Sequence, residues 1–199
     1  MAEHDLIKDC PEYSHLIITD IKNFYPTIYT HSIAWSIHTK QIMKTPSFRN
    51  DYTLLGNRLD KLFQNSRDGQ TNGIPVGSMT SDIIAEIILA DIDKKLSKKI
   101  KDSKIKVRDI LIFRYRDDYR ILSRNEDQGK TVLQFLNKIL QSEYDLNQNA
   151  DKTIAHTDII EGSFRPWMVD IKNSYLLRQV YYSEFPNGVN GNYLKDCLI

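Results

Sequence analysis

Apolar positions in this chain arrive in short bursts whose period changes along its length. "HLIITD", residues 15 to 20, is an apolar, β-branched run that predicts a buried strand stopping at an acid, Asp20. Pro26 soon afterwards bars a long continuation. From 30 to 43, Ile33 and Ile37 with Trp35 recur at helical spacing, and 51 to 64 repeats the pattern with Leu54, Leu55, Leu59, Leu62 and Phe63. Each stretch predicts a helix. "RDGQTNGIP", residues 67 to 75, is dense in turn formers; Ser and Thr cap candidates follow, then a stripe through Ile84, Ile88, Ile92 and Leu96 that predicts the best helix in the chain. Ile110 and Ile112, then Ile121 and Leu122, predict two short strands around "RYRDDYR". A helix is expected from about 127 to 144 on Val132, Leu133, Leu136, Ile139 and Leu140, and a short strand near 152 to 156. The last fifteen residues, with Pro186, Gly188 and Gly191, read as loop. The order of strand, helices, hairpin, helix and strand argues an α+β sheet with helices packed on one face.

Composition narrows the class without naming a partner. The 199 residues, 41% of them apolar, suffice for one core. Twenty-seven Lys and Arg against 26 acids give a net charge of +1, so any surface for a polyanion must be local. One local run exists: eight Lys or Arg lie between residues 94 and 108 against the single Asp102, which also fits the solvated end of a helix. Cys10 and Cys197 are too few for a disulfide framework or a zinc site and suit a reducing cytoplasm, the expected location. The N-terminal residues lack the apolar core of a signal peptide, and no stretch approaches the ~20 apolar residues of a membrane span.

The informative conflict is "FRYRDDYRIL", residues 113 to 122, where two adjacent aspartates interrupt an apolar, aromatic run. Neighbouring carboxylates repel unless a cation sits between them. An exposed hairpin tip would also tolerate them, because Asp favours turns. An acid ending one strand and an acid pair at a neighbouring hairpin are the donors that Mg²⁺ takes alongside substrate phosphates. Asp20, Asp117 and Asp118 could then hold two ions ~3.5–4 Å apart, as in-line displacement requires. Phosphatases, receiver domains and nucleases also place acids at strand ends.

"DIKNFYPTI" (20 to 28), "GIPVGSMTSDIIAEIILADID" (73 to 93), "YRDD" (115 to 118) and "LNQNADKT" (146 to 153) resemble, in order and spacing, four successive palm motifs of reverse transcriptases. The look is closest to the bacterial branch of retron, group II intron and phage-defence (abortive-infection) enzymes, and it covers roughly residues 15 to 156. The resemblance implies a polymerase palm, a ferredoxin-like antiparallel sheet with helices on one face, over residues 1 to 160. Residues 161 to 199 would form a C-terminal segment opening a thumb or palm-thumb connection. It implies an RNA-directed DNA polymerase with two Mg²⁺ ions, for which Mn²⁺ can substitute. Asp20 and Asp117 become metal ligands, and Asp118 joins them as a supporting acid nearer the primer end. Lys152 matches a lysine near the triphosphate that would protonate the leaving pyrophosphate. Ile21 and Tyr25 fall in the nucleotide-binding motif, Tyr25 at the aromatic that crowds a ribose 2′-hydroxyl and selects deoxynucleotides. Gly73, Pro75, Gly77 and Ser78 match the loop beneath the template base and incoming nucleotide, where glycine permits close backbone approach. The plainer readings are a core aromatic for Tyr25, an ordinary loop into a helix for 73 to 78, and a surface charge for Lys152.

Two positions depart from the pattern: Val76 stands where many retroviral relatives have Gln, and Arg116 where the Tyr-x-Asp-Asp motif carries a small or apolar residue. Only fourteen residues precede the first motif strand and about 45 follow the fourth motif, so fingers and a full thumb are expected from further segments or a second protein chain. The implied partners are an RNA template, a DNA or RNA primer and deoxynucleoside triphosphates, with no membrane, in phage defence or a mobile element. Untemplated or protein-primed DNA synthesis of the abortive-infection type, and an inactive palm acting as a nucleic-acid-binding scaffold, stand as rivals.

Overall fold

A computed structural model describes residues 13 to 157. Cys10, Cys197 and the expected C-terminal segment lie outside the described residues. The elements in chain order are β1 (His15–Asp20), α1 (Phe24–Thr27), α2 (His31–His38), α3 (Lys40–Met43), α4 (Pro46–Arg49), α5 (Leu55–Asn65), α6 (Met79–Lys101), β2 (Ile110–Tyr115), β3 (Asp118–Ser123), α7 (Glu126–Ile139) and β4 (Ile154–His156). The strands form one antiparallel sheet ordered β2-β3-β1-β4. With α6 between β1 and β2, and α7 between β3 and β4, this is the split β-α-β arrangement of ferredoxin-like folds. The expected α+β palm architecture is the one found.

Alternation along the strands separates two apolar clusters. Ile17, Tyr119 and Ile121 join the larger one with Ile84, Ile88, Leu89, Ile92 and Leu96 of α6 and Val132 and Leu136 of α7. Leu16 and Leu122, directly paired, form the smaller one with Ile18, Leu111 and Phe113. Asp20 and Asp118 have the same strand parity as this second set, so they sit on the sheet face turned away from the two long helices. Ile88 and Ile92 are fully buried, and each such side chain contributes about 1.5–3 kcal/mol. Helix α7 begins at Asn125, whose side chain accepts from the Asp127 N–H, and crosses β3 at Gly129. A Cβ at Gly129 would lie 2.6 Å from Ser123 Oγ, so any larger residue would force that buried hydroxyl to move.

Several expected elements are shorter than their periodicity suggested. The helix expected over 30 to 43 is divided at Thr39, whose φ of 75° and ψ of 141° take the chain out of helical space. The helix expected over 51 to 64 begins at Leu55, because 50 to 54 connect it to the separate turn α4. The one expected over 127 to 144 leaves α-helical geometry at Leu140, passes through a π turn to Tyr144, and stops at Asp145 with φ 59°.

Candidate active site

The hairpin between β2 and β3 is as tight as an antiparallel connection becomes. Tyr115 pairs with Asp118, leaving only Arg116 and Asp117 in the loop. Two-residue loops need positive φ to match the strand twist, and Arg116 supplies it at 54°. Asp20, ending β1, pairs with Asp118, beginning β3, so the two central strands deliver one acid each to the same level. The Ile21 N–H donates to the Asp117 carbonyl at 3.2 Å, which ties the hairpin to the chain leaving β1.

The segment carrying Lys152 is fastened on the other side of Asp20. Asn149 N–H donates to the Asp20 carbonyl at 2.9 Å, Lys22 N–H to the Asn147 carbonyl at 2.8 Å, and Thr19 and Thr153 hydroxyls meet at 2.8 Å. Lys152 Nζ consequently lies 3.1 Å from Asp20 Oδ2, and this carboxylate holds the ammonium pKa above its ordinary value. Asp20 Oδ1 is buried with no hydrogen-bond partner. Asp118 is pushed above the usual carboxylate range, first by partial burial and then by the Asp117 and Asp20 charges beside it. The cluster therefore combines an orphaned buried oxygen with mutual repulsion, both of which a cation relieves. Among the described residues, no group of three or more His, Cys, Asp or Glu is gathered closely enough to hold a metal unaided. That donor set fits Mg²⁺, which takes one or two carboxylates and fills its shell with water and substrate phosphates.

Tyr25 lies half-buried beside the acids, its ring edge-on to Phe24 at 5.6 Å. Its hydroxyl donates to Asp82 Oδ1 at 2.6 Å, and burial together with this carboxylate raises the phenol pKa to about 12. The Arg116 guanidinium also turns toward Asp82, at 4.0 Å, rather than to the acids of its own turn. The expected nucleotide loop divides into two parts. Gly73 is buried with φ 83°, donates to the Ile28 carbonyl at 2.7 Å, and would bring a Cβ to 2.9 Å from the Pro26 carbonyl. Pro75, Val76 and Gly77 are exposed, Gly77 has open space where a side chain would project, and half-buried Ser78 starts α6. Ile21 presents only its backbone here, since its side chain is 1% exposed.

A family model described as "Reverse transcriptase (RNA-dependent DNA polymerase)" matches residues 1 to 177. The chain belongs to the reverse transcriptase family. Comparison with curated proteins returns no match. Among solved structures, this reverse transcriptase palm resembles apo telomerase from Candida tropicalis truncated from its C-terminal domain, at 20% identity and TM-score 0.51, covering 77% of this chain and 33% of that one. It also resembles apo telomerase from Candida tropicalis (16%, TM-score 0.52, 78% and 32%). A third likeness is to telomerase from Candida albicans in complex with a TWJ fragment of telomeric RNA (14%, TM-score 0.53, 78% and 30%). At these identities the likeness is one of fold, and the chain spans about a third of the length of each.

Sequence reasoning missed the support under the reverse transcriptase hairpin. Arg114 is 14% exposed; its Nε donates to Asp93 at 2.8 Å and its two terminal nitrogens to both oxygens of Glu86 at 3.0 Å. It also donates to the Arg116 carbonyl at 2.9 Å, gripping the loop itself. Burial alone would lower the guanidinium pKa, but the Glu86 and Asp93 carboxylates more than offset it. Fully buried Tyr119 donates to the other Asp93 oxygen at 2.9 Å. Glu86 and Asp93 stand seven residues apart, two helical turns, and that spacing with an arginine of helix-facing strand parity was the available signal.

Proposed function

We propose that this palm catalyses RNA-templated DNA synthesis. The primer 3′-oxygen bonds to the α-phosphorus of a deoxynucleoside triphosphate while the bond to pyrophosphate breaks and the hydroxyl proton departs. The observation that carries this reading is the pairing of Asp20 with Asp118 on adjacent strands, with Asp117 in the turn and an unpartnered buried oxygen on Asp20. Asp20 and Asp117 would hold two Mg²⁺ ions, with Asp118 alongside. Bound divalent ions supply charge neutralisation at the transferring phosphoryl group, the largest demand of this chemistry.

The chain's own residues position the reactants. Arg114 and the Ile21 N–H fix the hairpin, so the acids are placed before substrate arrives. Tyr25 supplies a wall against the sugar, held upright by Asp82. Lys152, 71% exposed, pairs with Asp20 through one of its three ammonium protons and leaves the others open to solvent, where one could be donated to the departing pyrophosphate. Pro75, Val76 and Gly77 offer an exposed, uncharged platform for the base pair. The wording of the four motifs supports the bacterial branch and a setting in phage defence or a mobile element.

Sequencing the products made with and without a defined RNA template tests the proposal. Products complementary to the template support it. Template-independent tracts would move the chain to untemplated or protein-primed synthesis, and a folded palm that adds no nucleotide in any assembly would make it a scaffold.

A further inference from the structure

A groove of about 710 Å³ opens between α6, α7 and the α2–α3 junction. Lys40, Lys95, Lys98, Lys99 and Lys138 line it, with Phe135 among them. These cations come from three separate elements, so the charge is not merely the basic end that the α6 dipole favours. Three acids share the groove, but two are already engaged. Asp91 and Glu143 both pair with Lys95, at 2.9 and 3.5 Å, and Asp91 also accepts from the Tyr144 hydroxyl. Only Asp102 then remains opposite Lys98, Lys99 and Lys138, none of which forms an ion pair among the described residues. Lys40 is fixed by the Ser142 and Glu143 carbonyls, both at 2.7 Å, and lies over the Trp35 ring. Its pKa is lowered, chiefly by burial, with Lys44 and Lys95 adding to the effect against Glu143. Five lysines face three acids, so the groove carries an excess of two positive charges, set on the Lys98, Lys99 and Lys138 side.

We infer that this lysine groove binds the phosphodiester backbone of a nucleic-acid strand, at a site separate from the catalytic acids. Lys98 is twenty residues beyond Ser78, which at 1.5 Å per residue places it about 30 Å along α6 from the nucleotide loop. Lysine suits the task because it meets phosphates as a point charge and reads no sequence. Exposed Lys101 closes the helix, and exposed Lys104, Lys106 and Arg108 continue the charge beyond it. The inference rests on reading the chain as a nucleic-acid polymerase, but its test is independent of catalysis.

Fluorescence anisotropy on the full chain, with labelled single-stranded RNA and DNA of one sequence, compares wild type with Lys98→Ala/Lys99→Ala/Lys138→Ala and with Asp20→Asn. The triple variant should bind about tenfold more weakly at physiological salt, and its log–log salt slope should fall by about 2, the share of three phosphate contacts on a single strand. Asp20→Asn should keep wild-type salt dependence. Primer extension at saturating primer–template should proceed at the wild-type rate in the triple variant. A loss confined to RNA or to DNA identifies the strand, and equal loss shows that the shared backbone is read. Unchanged affinity and slope for both strands would overturn the groove while leaving the active-site reading intact.

Discussion

At Asp118 a carboxyl sits between the Asp20 and Asp117 charges, and its pKa in the folded chain is raised. A raised carboxyl favours folding only in its protonated form. That contribution is complete in acid and is lost as pH rises through the folded-state pKa, leaving a repulsive anion at neutrality. Asp118→Asn is therefore expected to raise Tm by about 1–2 °C at pH 7 in chelator, with the gain absent well below the carboxylate range. Differential scanning fluorimetry across pH reads it; a lowered Tm at pH 7 would mean that the acids are already compensated. Tyr25 separates two contributions. Tyr25→Phe forfeits one hydrogen bond to a partly exposed acid, a cost of about 1 kcal/mol, and should keep the preference for deoxynucleotides. Tyr25→Ala should admit ribonucleotides, as competition assays would show, and unaltered preference in the Ala variant would make the ring a core side chain only. Asp117 and Asp118 were legible in the sequence because an acid pair inside an apolar run is costly without a partner, Asp20 because it ends a strand, and Tyr25 only through its match to the first palm motif. Asp82 was not, because its role depends on a tyrosine 57 residues away.

Among the elements, the β2–β3 hairpin and α6 act as a unit through Arg114. Its partners Asp93 and Glu86 lie 21 and 28 residues away, so the pairing joins two elements rather than neighbours in one. Arg114 is largely buried, but Glu86 and Asp93 are 53% and 38% exposed, so solvent screens their ion pairs and breaking the cluster should cost about 1–2 kcal/mol. Arg114→Met should approach that loss in urea unfolding. Arg114→Lys should recover only part of it, since an ammonium cannot reproduce the bidentate fork to Glu86. Equal stability of wild type and Met variant would show that the network is a surface feature. The central strands were readable as short apolar runs that are buried on both faces, and the long helix because period 3.6 holds through it. Helix ends were harder: Thr39 takes positive φ with no glycine to advertise it, and the π turn after α7 preserves apolar spacing while abandoning α-helical geometry.

Across the whole molecule, the ferredoxin-like order makes the site a consequence of topology. Because β3 inserts between β1 and β2, chain segments about a hundred residues apart meet on the two central strands, and α6 and α7 stiffen them from one face. The four motifs carried the fold because their spacing reflects that path. The lysine groove drew on only part of the basic run, since Lys40 and Lys138 reach it from other elements. The central claim is that the acids at the β1 end and the hairpin form one divalent-cation site, and paramagnetic broadening by Mn²⁺ in amide NMR spectra reads it directly, whether or not the chain polymerises. The account predicts that substoichiometric Mn²⁺ broadens the Asp20, Ile21, Asp117 and Asp118 amides first, that Mg²⁺ competes the effect away, and that Asp20→Asn and Asp117→Asn each abolish it. Broadening centred elsewhere in the chain, or unchanged at these amides in both variants, would contradict it.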